Sequence, residues 1–280
     1  MIAGVRVGHW SAPEARTGCT VVLLPEGTTA SGEVQGGAPA TRELALLEPT
    51  RLVDRLDAVV LTGGSAFGLA CADGVMDWLE QQGAGFPTPA GAVPIVVGLG
   101  LYDLAVGDPA VRPGPAQGRA ACLAATEVWA GGAVGAGTGA TVAKWRGEPR
   151  AGGIGVAAAV DGDVTVAAIM AVNAYGEPGG EAFGFPNRPS GLGTNTTVGV
   201  VVTDAHLTKA QCLVVAQGGH DGMARALWPP HCTVDGDAVV AAATGRMEAP
   251  LDLVRALAVR AVEDAVRSAV PRSDPPTRVT

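Results

Sequence analysis

Charge is scarce in this 280-residue chain, where Asp, Glu, Lys and Arg together make up 16% of the residues. A disordered or heavily solvated polypeptide carries far more, and the 48% apolar content is that of a chain that buries most of itself. Basic clusters are missing as well. With 19 basic against 27 acidic residues the formal net charge is -8, which speaks against nucleic acid as a partner. Cysteine is sparse and badly spaced for any framework: Cys19, Cys71, Cys122, Cys212 and Cys232 are odd in number and form no C-x-x-C. Neither a disulfide scaffold nor a zinc knuckle is signalled, and these thiols read as small core residues. The histidines, His9, His206, His220 and His231, show no H-E-x-x-H and no paired-ligand spacing, so no metal or other cofactor is expected. No apolar run approaches a membrane span, and "MIAGVRVGHW" lacks a basic stretch followed by a long apolar one. The expectation is a soluble, cytoplasmic protein with no membrane partner.

What is present is glycine and proline, 41 and 20 residues, scattered among apolar runs without a G-X-Y period. They read as tight turns and close backbone packing. Length alone leaves one large core or two modest domains open. A buried strand is expected at Ala58 to Thr62, breaking at Gly63 and Gly64 into a helix through Leu69, Val75, Trp78 and Leu79 that stops at Gly83. "GRAACLAATEVWAGG" reads as a second helix, ended by Gly131 and Gly132. Two apolar runs joined at Asp161-Gly162 predict a β-hairpin. "TTVGVVVTDA" and "AQCLVVAQ" read as further apolar runs, "HDGMARAL" as a short helix and "DAVVAAAT" as a strand. A closing helix carries Leu253, Leu257, Ala261 and Ala265, with Asp252 as its cap. The Pro-bearing stretches "GFPTPAGAVP" and "YGEPGGEAFGFPNRPSGLGTN" read as loops. Mixed helices and antiparallel strands with small residues favour a layered α/β arrangement.

Conventional site signatures fail one by one. "GGSAFG" would be a nucleophile elbow only if Phe67 were glycine, so Ser65 reads as a helix-start or packing residue. Gly135, Gly137 and Ala140 offer a G-x-G-x-x-A spacing, but no clean strand precedes it and no suitable acid follows. The P-loop fails because Lys144 is followed by Trp145. What survives is a dispersed polar set, each member with a bland reading. Lys144 reads as a snorkelling cation, Asn173 as a strand-terminating residue and Asp235-Gly236-Asp237 as a hairpin turn. Asn195-Thr196-Thr197 opens a β-branched run and also matches a glycosylation sequon, which has no secretory context here.

Taken in order, "LTGGSAFGLACADGV", "VGAGTGATVAKW", "AVNAYGE", "NTTVGVVVTDA", "GGHDGMARAL" and "DGDAVVAAATG" resemble the L-aminopeptidase/D-amino-acid esterase (DmpA-like) family, which includes the 6-aminohexanoate-oligomer hydrolases. The resemblance runs from "GVRVGHW" to the closing helix. It implies a four-layer α/β/β/α sandwich of the N-terminal-nucleophile type: one self-processing domain over residues 1–280, cut between Asn195 and Thr196 into chains 1–195 and 196–280. It also implies that Thr196 is the nucleophile of an amide hydrolase acting on small peptides, amino-acid amides or linear amide oligomers. Lys144 would sit near that hydroxyl, Asn173 and Tyr102 would hold the substrate carbonyl or oxyanion, and Asp235 and Asp237 would orient Thr196 or balance the cations. Thr with two Asp is closer to the oligoamide hydrolases than to the Ser-bearing aminopeptidases. Homo-oligomers, often tetramers, are usual in that family. The alternatives are an acyltransferase of the same fold, which an added amine acceptor would reveal, and a non-catalytic nucleotide-binding protein, which would stay uncut.

Overall fold

A computed structural model describes residues 1–179 and 195–270. In chain order the strands are β1 (Arg6–Ala12), β2 (Thr17–Leu23), β3 (Thr29–Val34), β4 (Ala40–Arg42), β5 (Ala58–Thr62), β6 (Phe86–Thr88), β7 (Gly91–Val93) and β8 (Val96–Gly100), with helices α1 (Cys71–Gln81) and α2 (Pro115–Leu123). There follow β9 (Thr141–Val142), β10 (Arg150–Ala151), β11 (Gly153–Asp161), β12 (Val164–Asn173), β13 (Glu177–Pro178), β14 (Thr196–Ala205), α3 (Lys209–Ala226), β15 (Leu227–Trp228), β16 (Ala238–Met247) and α4 (Leu251–Ser268). Two five-stranded mixed sheets form, ordered β1-β2-β5-β8-β4 and β11-β12-β14-β16-β3.

Side-chain alternation explains how they stack. Along β14, Val198, Val200 and Val202 face the other sheet, where they meet Val59, Leu61, Val97 and Leu99. Val201 points the other way, to the layer formed with α3 and α4 that holds Val239, Val215 and Val262. The first sheet does the same: Val21, Val60 and Val96 turn to α1, where they meet Val75 and Trp78. Helices, sheet, sheet and helices therefore make four layers with three cores between them. Strands covered on both faces read as continuous apolar runs, because neither face is left for polar residues. The small residues have a geometric use: a Cβ on Gly155 would lie 1.8 Å from the Ala265 carbonyl oxygen, so α4 can lie on β11 only where the strand is bare.

The Asp161-Gly162 hairpin forms as expected, joining β11 to β12, and β5 and α1 fall where the pattern puts them. Four expectations need correction. "AQCLVVAQ", read only as an apolar run apart from the short helix "HDGMARAL", joins it in one helix, α3, started by the Thr208–Gln211 capping box. α2 ends at Leu123, because Thr126 leaves the helix to exchange backbone hydrogen bonds with Val7 of β1 at 2.8 and 3.0 Å. Asp252 lies in the first turn of α4, whose cap position is Pro250. "GFPTPAGAVP" contains the small β6–β7 hairpin. The long loop ending at Asn195 lies mostly outside the described residues. None of the described helices is long and apolar enough to cross a membrane.

One cation ties the layers at the start of α3. Lys209 Nζ donates to the carbonyls of Leu46, Arg51 and Val53 at 2.8, 3.2 and 2.7 Å. Lys209→Met leaves those acceptors without their donor and is expected to cost about 1–3 kcal/mol. Urea unfolding should show it as a lower midpoint at unchanged slope.

Candidate active site

The sheet that holds β14 brings the dispersed polar residues together. In the β12–β14 register Asn173 lies opposite Thr196, the last pair of the ladder. The parallel β14–β16 pairing sets the loop before β16 beside the same end, where Asn195 bridges Asp235. That loop is clamped from behind by the segment following β3. Gln35 and Gly36 donate to the Asp237 carbonyl at 3.0 and 3.2 Å, and Ala38 donates to the Asp235 carbonyl at 2.8 Å.

The Asn195–Thr196 peptide bond is buried at this junction, Asn195 being 0% and Thr196 3% exposed. Its carbonyl oxygen accepts the Gly236 N–H at 3.1 Å, and the Thr196 hydroxyl also rests against it. Gly236 stands where a Cβ would come within 2.8 Å of Thr196 Oγ1 and 2.6 Å of the Ala38 carbonyl oxygen, so only glycine fits without a shift. Reading Asp-Gly-Asp as a hairpin turn misses this N–H. The donor faces a residue remote in sequence, which a local turn signal does not report.

The two carboxylates have different duties. Asp237 Oδ1 accepts the Thr197 N–H at 2.6 Å, so it holds the amide that follows Thr196, while Oδ2 accepts His231 Nδ1 at 2.8 Å. Asp235 accepts the N–H groups of Tyr175 and Cys232, each at 3.1 Å. Burial, reinforced by the charge of Asp237, raises the Asp235 carboxyl to about 7.

Lys144 follows Ala143, whose left-handed φ of 63° is strained for a residue with a side chain. The turn is tied down by bonds from Ala143 N to the Gly176 carbonyl and from Trp145 N to the Tyr175 carbonyl. Lys144 Nζ thereby reaches the main-chain oxygen and Oδ1 of Asn173, at 2.8 and 2.9 Å. Burial pushes its ammonium down to about 7, against the pull of Asp235, Asp237 and Asp103. A snorkelling surface cation would keep its ordinary value. Asn173 Nδ2 donates to the Tyr102 main-chain oxygen at 2.9 Å, so this amide positions Tyr102 and Lys144. Tyr102, Thr141 and Lys144 line a cleft of about 660 Å³, with Arg16, Val106 and Arg150 on its other walls.

The glycine-rich run before Lys144 is a packed segment. Its Gly135 is buried, and a Cβ there would lie 2.2 Å from Thr20 Oγ1, so the glycine serves packing against β2. Among the described residues no group of three or more His, Cys, Asp and Glu is placed to hold a metal ion.

Comparison with known proteins bears on the fold and the family. The fold is that of an N-terminal-nucleophile-type hydrolase. The L-aminopeptidase D-Ala-esterase/amidase of Ochrobactrum anthropi, described as a variant of that fold, superposes with a TM-score of 0.72 at 22% identity, over 96% of this chain and 84% of that one. A β-aminopeptidase of Burkholderia sp. superposes with a TM-score of 0.73 at 25% identity and the same coverage. Within that class the chain belongs to peptidase family S58, whose family model matches residues 2–277. An uncharacterized aminopeptidase of Mycobacterium leprae is 40% identical over 89% of this chain and 78% of its own. A 6-aminohexanoate-oligomer endohydrolase of Kocuria sp. is 28% identical over 88% and 75%. The chain is a peptide or amide hydrolase.

Proposed function

We propose that the protein cuts itself between Asn195 and Thr196 and then uses Thr196 as the nucleophile for small peptides, amino-acid amides or linear amide oligomers. One observation carries this reading: a buried peptide bond whose carbonyl accepts the Gly236 N–H and whose next residue presents a hydroxyl to the same carbonyl. In the processing step Thr196 Oγ1 bonds to the Asn195 carbonyl carbon while its proton is removed. The carbon–nitrogen bond breaks, and the nitrogen takes up a proton. The resulting ester is opened by water, leaving the Asn195 carboxylate and a free α-amine on Thr196. During attack, negative charge develops on the oxygen that Gly236 already holds, where a fixed donor is most effective.

After the cut, Thr196 carries its own base, an α-amine with an ordinary pKa of about 7.7–8.0. That amine takes the hydroxyl proton when a substrate carbonyl is attacked, so no histidine is needed in the triad sense. Lys144, neutral above about 7, does not compete as a cation for the acidic pair once the amine is free. The cleft beyond Lys144 and Tyr102 supplies room for the substrate's remainder. Hydrolysis of an aminoacyl anilide and of a linear 6-aminohexanoate oligomer by the purified protein tests the substrate range. Activity on neither would remove the reading.

The sign of the pH dependence follows. Raising the pH deprotonates Lys144 near 7 and frees the α-amine base near its ordinary value, so kcat/KM should climb between about 7 and 8. A profile flat from pH 5 to 9 would contradict an amine base.

A further inference from the structure

The proposed chemistry leaves unused a histidine pair packed behind Asp237. His231 Nδ1 lies 2.8 Å from Asp237 Oδ2, and its backbone N–H donates to the same oxygen at 3.3 Å. On the far side of the ring, Nε2 lies 3.4 Å from the carbonyl oxygen of His220. Both ring nitrogens therefore face acceptors. An imidazolium satisfies both, whereas a neutral ring that donates to Asp237 turns a lone pair on the carbonyl. The residue is also held in a left-handed conformation, φ 49°, a backbone cost that a free surface histidine has no reason to bear. His220 presents its ring edge-on at a centroid distance of 5.0 Å, with its own Nε2 3.1 Å from the Glu33 carbonyl oxygen.

We propose that His231 is a positioning residue: held as an imidazolium between the Asp237 carboxylate and the His220 carbonyl, it fixes Asp237, through Asp237 the Thr197 amide beside the nucleophile, and supplies the positive charge that balances the acidic pair. The proposal rests on Thr196 being the nucleophile. The groups that act on the ring are Asp237 and Asp235 from its own loop and His220 from α3; Glu33 of β3 stands behind His220. Burial pulls His231 down, but the Asp237 hydrogen bond and charge outweigh it and hold the ring above an ordinary histidine. His220, whose burial lowers it, adds little charge of its own near neutrality.

His231→Gln separates charge from geometry, since an amide can still donate to Asp237 but carries no charge. The site then becomes one charge more negative, which favours the protonated forms of Lys144 and of the Thr196 amine. The acid limb of kcat/KM should move to higher pH by about half a unit or more, and the two profiles should merge at pH values where His231 is neutral in the wild type. His231→Ala, which loses the donor as well, should lower the rate about tenfold further. Proton NMR of the wild type, with the His231 resonance assigned by its absence from the Gln variant, gives an independent reading: it should titrate above the ordinary histidine value. Superimposable profiles in a folded Gln variant, or a His231 that titrates at or below that value, would overturn the proposal. An uncut, inactive wild type would instead strike the nucleophile reading, and the titration alone would then decide the state of His231.

Discussion

Thr196→Ala is expected to yield a protein that purifies as one uncut 280-residue chain and loses amide hydrolysis by roughly 10³-fold or more in kcat/KM. The hydroxyl is the group that would attack Asn195 and later the substrate, so its removal stops both reactions at once. Packing should hardly suffer. Thr196 sits at the first position of β14, and its backbone keeps its pairing with Asn173. A thermal transition close to that of the wild type would show that the loss is chemical. Thr196→Ser keeps the oxygen and should still process. An Ala variant that is cut and active would end the account.

The second large effect is expected at Gly236. A methyl group there would press within 2.8 Å of Thr196 Oγ1 and 2.6 Å of the Ala38 oxygen, so either the nucleophile or the loop must move. Either movement pulls the N–H away from the Asn195 carbonyl. Removing one fixed donor of this kind slows acyl chemistry by about 10²–10³-fold, and Gly236→Ala should slow processing by that factor. The crowding should also cost about 1–3 kcal/mol, so folding must be followed by circular dichroism alongside the appearance of the cut chains. A folded variant cut at the wild-type rate would show that Gly236 is no part of the site.

How much of this was legible before the structure depends on how local each signal is. The Asp161-Gly162 turn and the β5–α1 step are written in neighbouring residues, and both form as read. The start of α3 is written locally too, in Thr208 and Gln211, but an apolar run with the β-branched pair Val214-Val215 does not by itself tell helix from strand, and the cap went unread. β2 gave little signal, since it is buried on both faces and loses the polar alternation that marks a strand. In the site, residue types pointed one way and geometry another. Lys144, Asn173, Asp235 and Asp237 each have an ordinary structural explanation in isolation, and only the resemblance to a family gathered them. Gly236 and His231 escaped because their partners, Asn195 and His220, lie on other elements.

The sheet order sets what the proposed cut would leave. Chain 196–280 would contribute β14 and β16 to a sheet whose other members, β3, β11 and β12, belong to chain 1–195. β14 is hydrogen-bonded to β12 on one side and β16 on the other, so the proposed products would stay interleaved and the new terminus would stay in place. Intact mass of the active protein, measured under denaturing conditions and set beside its native size, therefore tests the central claim most directly. The account predicts two chains, of 195 and 85 residues, whose masses sum to that of the 27.9 kDa chain plus one water, and which travel together when native. A single 27.9 kDa species in material that turns over amides would contradict it.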